Sequence, residues 1–124
     1  NVNFLSFEST AHKDIHVLGD SIQVAPGMPK SGHMANSQAK VAAAAIVAQL
    51  SNRDVNPAPV VTNTCYSFVN SKEVVHVASV HQYDNEKKTF IPVKGAGGLS
   101  PAPSTLEGVY AWGWAHNIWA DSLG

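Results

Sequence analysis

Cysteine is all but missing from this chain: Cys65 stands alone in 124 residues. No disulfide can close within the chain, and a zinc site built from several cysteines is excluded. Charge is scarce as well. Eight basic and nine acidic side chains leave a net charge of −1, with no run of either sign. That scatter argues against a nucleic-acid-binding stripe and against an acidic disordered tail. No apolar run reaches the length of a membrane span, and no internal repeat is present. The chain opens at Asn1 without a methionine or a signal-like segment, so the expectation is a piece of a longer or processed protein. The six histidines show no ligand spacing. His76 and His81, an odd number apart, belong on opposite faces of a strand, and no metal site is expected.

What is present is an ordinary globular composition, 44% hydrophobic and 14% charged. It leads one to expect a packed, well-buried interior in one modest domain or pieces of two. Phe4-Leu5-Ser6-Phe7 is a short strand candidate, and Ile15-His16-Val17-Leu18 suits a buried parallel strand. Residues 20–32 carry the breakers Pro26, Gly27, Pro29 and Gly32. The clearest helix spans about His33 to Leu50, rich in alanine and free of Gly and Pro, with Ser31 or Gly32 as its cap. "SNRDVNPAP" reads as a linker. Strands are expected over Val60–Val69, Val74–Tyr83 and Thr89–Val93, the first two joined by a turn at Asn70-Ser71-Lys72. "KGAGGLSPAP" reads as loop. A last helix of about Ser104 to Ser122 opens on Ser104 with Glu107 three residues later, a capping box. Residues 1–58 therefore look like the end of an α/β unit, and residues 59–124 like a small α+β domain with antiparallel strands and a C-terminal helix.

Two chemistries compete for "HVLGDSIQVAPGMPKSG". Gly19-Asp20-Ser21 matches the start of the motif of GDS-type serine esterases, with Ser21 as nucleophile. Such a serine needs a histidine base oriented by an aspartate three residues before it. His116 and Asp121 come in the wrong order and at the wrong spacing, so the match is weak. The alternative is a strand that ends in Gly-Asp, whose carboxylate holds a cofactor hydroxyl while the following helix aims its N-terminus at the ring. Glycine lets the backbone approach closely, and the unpaired N–H groups of a helix start stabilise negative charge.

The second reading matches more of the chain. "DIHVLGDS", "MPKSGHMANSQAKVAAAA", "NTCYS" and "YAWGWAHNIWADSLG" closely resemble the C-terminal part of the flavoprotein subunit of flavocytochrome c sulfide dehydrogenase, within the FAD/NAD-linked reductase superfamily. The resemblance runs through nearly all 124 residues and is weakest at 70–100. It implies that residues 1–58 are the last strand, loop and helix of a two-dinucleotide-domain FAD-binding fold, and that residues 59–124 are the family's C-terminal flavin-binding and interface domain. It further implies that Asp20 binds the FAD ribityl chain with Gly19 beside it, and that Met28, Pro29, Lys30 and Ser31 lie along the flavin. Ala35 and Asn36 start the helix aimed at the pyrimidine ring, and Trp114 lies close to the flavin on the side of the haem subunit. Cys65 matches one half of a redox-active disulfide that sulfide attacks. The family has Ala where this chain has Ser21, and residues 23–27 lengthen the loop.

The implied protein is a periplasmic FAD-dependent sulfide dehydrogenase that passes electrons to a c-type cytochrome subunit. This chain would need the upstream part of the same flavoprotein, which would carry the second cysteine, and would be inactive alone. A related sulfide or thiol oxidoreductase with another acceptor, or a non-catalytic interaction module, stands beside that reading. Plainer roles exist for single residues. A lone strand cysteine is often a small buried hydrophobe, and Lys30 and Asn36 suit an ordinary loop and first turn. Trp112 and Trp119, seven apart, share one helical face and are read as core. Trp114 falls on another face with Tyr110 and Ile118.

Overall fold

Ser31 starts the first long helix. Its backbone is extended (φ −157°, ψ 159°) and its Oγ accepts the Met34 N–H at 3.0 Å. From there α1 runs over Gly32–Leu50 in the computed structural model, which describes residues 1–124. Alanine makes this segment a strong helix former, and the serine side chain satisfies one of the four N–H groups that a helix start leaves open. Residues 52–59 then run without regular structure to the sheet.

Three antiparallel strands follow: β3 (Val60–Phe68), β4 (Val74–Asp84) and β5 (Thr89–Leu99), in the order β3-β4-β5. They come after a two-residue pair, β1 (Val2–Asn3) and β2 (Glu8–Ser9), which forms its own small antiparallel sheet. The first hairpin turns on Asn70, whose Oδ1 accepts the N–H groups of Lys72 and Glu73. The second turns on Asp84, whose Oδ1 accepts those of Glu86 and Lys87. Such side-chain-to-backbone bonds are what favour Asn and Asp in turns. Register places Val61 opposite His81 and Tyr83 opposite Phe90 on one face. Tyr66 stands opposite His76 and Phe68 opposite Val74 on the other.

The glycine-rich stretch is strand rather than the expected loop. β5 continues past Val93 to Leu99, after a register shift opposite Ser79 to His81. Gly97 (φ +127°) lies so close to the Ala78 carbonyl that a Cβ would collide with it. The run bulges where only glycine can follow the partner strand. Pro92 is tolerated because β5 is an edge.

The second helix, α2 (Thr105–Leu123), packs on the sheet face that carries Val74 and His76. Ser104 caps it by accepting the Glu107 N–H at 3.2 Å. The expected return bond of a capping box is absent, since the Ser104 N–H goes to Val74 O instead. Gly108 is buried where α2 crosses the first hairpin, and a Cβ there would strike the Lys72 carbonyl oxygen.

Two expectations fail at the N-terminus. Residues 4–7 are a tight turn between β1 and β2, in which Phe7 adopts φ +57°. Residues 15–18 make no parallel strand: His16 forms one isolated antiparallel bridge with Glu8, because no extended neighbour runs beside it to share a ladder. The segment instead feeds the core. Phe7, Ile22, Ala25, Met28 and Met34 pack with Val61, Tyr83 and Phe90, so one core draws on both sides of residue 58. Phe4, Phe7, Tyr83 and Phe90 meet through ring pairs 5.6–6.3 Å apart. The interior is smaller than composition suggests, with 18 of 124 residues buried and Leu50, Leu99 and Leu123 largely exposed. Two single-layered helices on a three-stranded sheet have more apolar surface than inward faces. No helix is long and apolar enough to cross a membrane.

The two helical glycines of α2 separate propensity from packing. Gly113 has open space where a Cβ would stand, so Gly113→Ala should raise stability by about 0.5–1 kcal/mol. Gly108→Ala should lower it by about 1–3 kcal/mol, because the helix must lift off the hairpin. Urea unfolding of the two variants measures this, and stabilisation by both would contradict the close approach.

Candidate functional site

β3 is an edge strand, so alternate N–H groups point away from the sheet and need partners. The helix α1 supplies them with side chains. Ser37 Oγ accepts the Thr62 N–H at 3.2 Å, and His33 Nδ1 accepts the Thr64 N–H at 2.8 Å. Four residues of helix rise about 6 Å, close to the roughly 6.8 Å that two strand residues span. The spacing locks α1 antiparallel along the edge, with its N-terminus level with Cys65.

Asn63, 3% exposed, ties the two elements together. Its Oδ1 accepts from Ser31 Oγ, the cap of α1, and from Cys65 Sγ at 3.5 Å. Cys65 is partly buried and has no disulfide partner in the chain. The thiol therefore shares one acceptor with the residue that starts the helix. Neither Asn63 nor Gln38 stood out in the sequence. An Asn two residues before a cysteine, on the same strand face, is the signal that would have pointed to the first.

A cavity of about 470 Å³ opens where the start of α1, the middle of β3 and the second half of α2 meet, within the usual range for small-molecule sites. Ser31, Asn36, Cys65 and Trp114 all line it, joined by His33 and Tyr66. None of its lining residues carries a carboxylate or an ammonium group. The Gly32 and His33 N–H groups have no protein acceptor, which leaves the partial positive charge of the helix start open at this end. Trp114 meets the rings of His33 (5.5 Å, 82°) and Tyr66 (5.8 Å, 66°) nearly edge-on. Its Nε1 is sealed from solvent and has no hydrogen-bond partner.

The remaining candidates fall beside the cavity rather than in it. Gly19 (φ +72°) donates its N–H to Gln38 Oε1 at 2.7 Å and sits against Ala35. Lys30 Nζ donates to the Asp20 backbone carbonyl at 3.0 Å, while the exposed Asp20 carboxylate has no protein partner. Pro29 is partly buried. Met28 is 5% exposed and packs in the core, its Sδ accepting from Gln38 Nε2. Its side chain supports the loop and does not line the cavity. Ser21 is exposed and hydrogen-bonds no histidine. His116 lies among Trp112 and Trp119, and Asp121 pairs with Lys40 at 2.5 Å, so no triad forms around Ser21.

The two outer tryptophans are not core. Trp112 and Trp119 are 56% and 51% exposed, in an aromatic row that runs from Phe68 through Trp112 and His116 to Trp119. α2 turns its other side to the sheet, which the Gly108 contact fixes. A polar cluster anchors that side. Glu107 accepts from Ser100 Oγ at 2.6 Å and from His76 Nδ1 at 3.0 Å. The Ser100 hydroxyl, then the His76 ring, hold its carboxyl below the usual range. Ser and Glu both approach the same ring nitrogen, so this is an anchor and not a proton relay. Burial, with the Glu107 charge nearby, pushes Tyr66 up.

A family model described as "Flavocytochrome c sulphide dehydrogenase, flavin-binding" matches residues 57–123, from the end of the linker through α2.

Burial lowers the pKa of both His33 and His81 from 6.5, helped at His33 by the Lys40 charge. His81 is 0% exposed and its Nδ1 has no partner. As pH falls through about 6.5 the unfolded chain takes up these protons first, so stability is full above that pH and declines below it. The melting temperature should therefore be lower at pH 5.5 than at 7.5, and His81→Gln should shrink the difference. A melting temperature that does not change over this range would contradict the assignment.

Proposed function

Because the chain belongs to the flavocytochrome c sulphide dehydrogenase flavin-binding family, a flavin-dependent oxidoreductase family, we propose that it supplies part of the FAD site of a sulfide dehydrogenase. The observation that carries this reading is the cavity itself. It joins the free N–H end of α1, the Cys65 thiol and the Trp114 ring in one place. The open Gly32 and His33 N–H groups and the carboxylate-free lining suit a flat aromatic group that gathers negative charge. The residues present therefore fit a flavin.

In this reading the flavin, when bound, supplies a two-electron acceptor that can release its electrons singly. The chain's own residues bind and orient it. The unpartnered Asp20 carboxylate accepts a hydrogen bond from a ribityl hydroxyl, beside Gly19, whose missing side chain keeps the backbone close to Ala35. Lys30 holds the Asp20 carbonyl, and with Pro29 and Ser31 it shapes the loop along the cofactor. Gly32 and His33 N–H groups, with Asn36 on the next turn, face the ring with positive potential.

Cys65 forms one half of a disulfide with a cysteine elsewhere in the flavoprotein. Hydrosulfide attacks that bond: the S–S bond breaks, one cysteine leaves as thiolate, and the other gains a bond to the substrate sulfur. When that bond is open, the Cys65 S–H is held by Asn63 Oδ1. The electrons leave to a c-type cytochrome subunit. The exposed apolar faces, with Val47 and Leu50 on α1 and Trp112 and Trp119 on α2, are surfaces for the upstream part of the flavoprotein and for the haem subunit. A disulfide of this kind persists in an oxidising compartment, in keeping with the periplasm.

Two variants of the complete flavoprotein test this. Cys65→Ser should abolish sulfide-dependent reduction of cytochrome c while the flavin absorbance stays at the parental level. Undiminished turnover would make Cys65 structural. Asp20→Ala should weaken FAD retention by about tenfold to a hundredfold, the worth of a hydrogen bond to a charged group, with the melting temperature of the apoprotein unchanged. Equal flavin content in variant and parent would sink the ribityl assignment.

A further inference from the structure

His33 carries more information than its place beside the cavity. The Thr64 N–H can only donate, so His33 Nδ1, 2.8 Å away, must accept and carries no proton. In a neutral imidazole the proton then resides on Nε2. Nε2 has no protein partner, and it is not among the nitrogens sealed from solvent, which are His81 Nδ1 and Trp114 Nε1. The ring lines the cavity together with Cys65 and Asn36. Trp114, edge-on at 5.5 Å, packs against it and restricts its orientation. A flip of the ring would place a carbon opposite the Thr64 N–H and strand that donor at the sheet edge. No carboxylate in the cavity draws the Nε2–H away. Burial acts in the same direction by lowering the ring's pKa.

Resting on the flavin reading above, we propose that His33 is a further cofactor-contacting residue, which donates its Nε2–H to an acceptor atom of the flavin in this cavity. The edge amide of β3 thus selects the tautomer, and the tautomer selects what the cavity offers. A side-chain donor stands next to the Gly32 and His33 backbone N–H groups, and all of them present hydrogen rather than lone pairs. The contact strengthens as the ring it faces gains electron density, because a donor is more stabilising toward a more negative acceptor.

Two measurements on the FAD-loaded complete flavoprotein decide this. With histidine labelled in ¹⁵N, the His33 shifts should report a protonated Nε2 and a bare Nδ1. The Nδ1–H tautomer would overturn the proposal. His33→Asn keeps an amide oxygen as acceptor for the Thr64 N–H and leaves nothing at the Nε2 position, its shorter amide NH2 standing where the ring carbon Cδ2 was. Its Kd for FAD should rise about five- to tenfold, the effect of one neutral hydrogen bond, with the melting temperature near that of the parent. An unchanged Kd in this variant overturns the role of His33 alone. A parent protein that binds no FAD overturns the flavin reading and this proposal with it.

Discussion

Two edge amides govern this structure. The N–H groups of Thr62 and Thr64 face outward from the sheet, and an unpaired edge invites another strand. Here a helix covers it, with Ser37 and His33 as acceptors in place of backbone carbonyls. Because both bonds must form together, α1 can neither slide by a turn nor rotate about its axis. Ser31 then falls opposite Asn63, Cys65 falls opposite the helix start, and the cavity exists because those positions are fixed. The constraint that protects the edge also builds the site.

The opposite face obeys a different economy of contact. α2 buries only Gly108 and Ala111, so little apolar area holds it. Its position comes from one close approach, Gly108 over Lys72, and from one polar anchor, Glu107 with Ser100 and His76. These fix the helix at its first turn. The far half then carries Trp114 to the rings of His33 and Tyr66, with Lys40 and Asp121 closing the end. Trp112 and Trp119 are left outside as a direct consequence. They form an exposed row with Phe68 and His116, on the helix that also lines the cavity.

Much of the local structure was legible. Serine before an alanine-rich run marked the α1 start, Asn70 marked the first hairpin turn, and the strands were expected close to where β3 and β4 run. Ser31, Asn36, Cys65 and Trp114 line one cavity. Illegible features share a cause. The glycines of β5 read as loop because their fit depends on the Ala78 carbonyl of another strand. The packing of Met28 against Gln38 was not legible because it depends on where α1 lies. Helical spacing put Trp112 and Trp119 on one face, but it cannot say which face a sheet will cover.

The sequence by itself determined where the helices begin, where the hairpins turn and which residues share a face, since propensity, capping and alternation act over a few residues. It also carried the family likeness, because that lies in the order of residues. Only the tertiary structure decided the tautomer of His33, the partners of Glu107 and the acceptor shared by Ser31 and Cys65. His33 lies 31 residues from Thr64, Glu107 lies 31 from His76, and Ser31 lies 32 from Asn63. Contacts at that separation follow from how elements stack, and no local rule contains them.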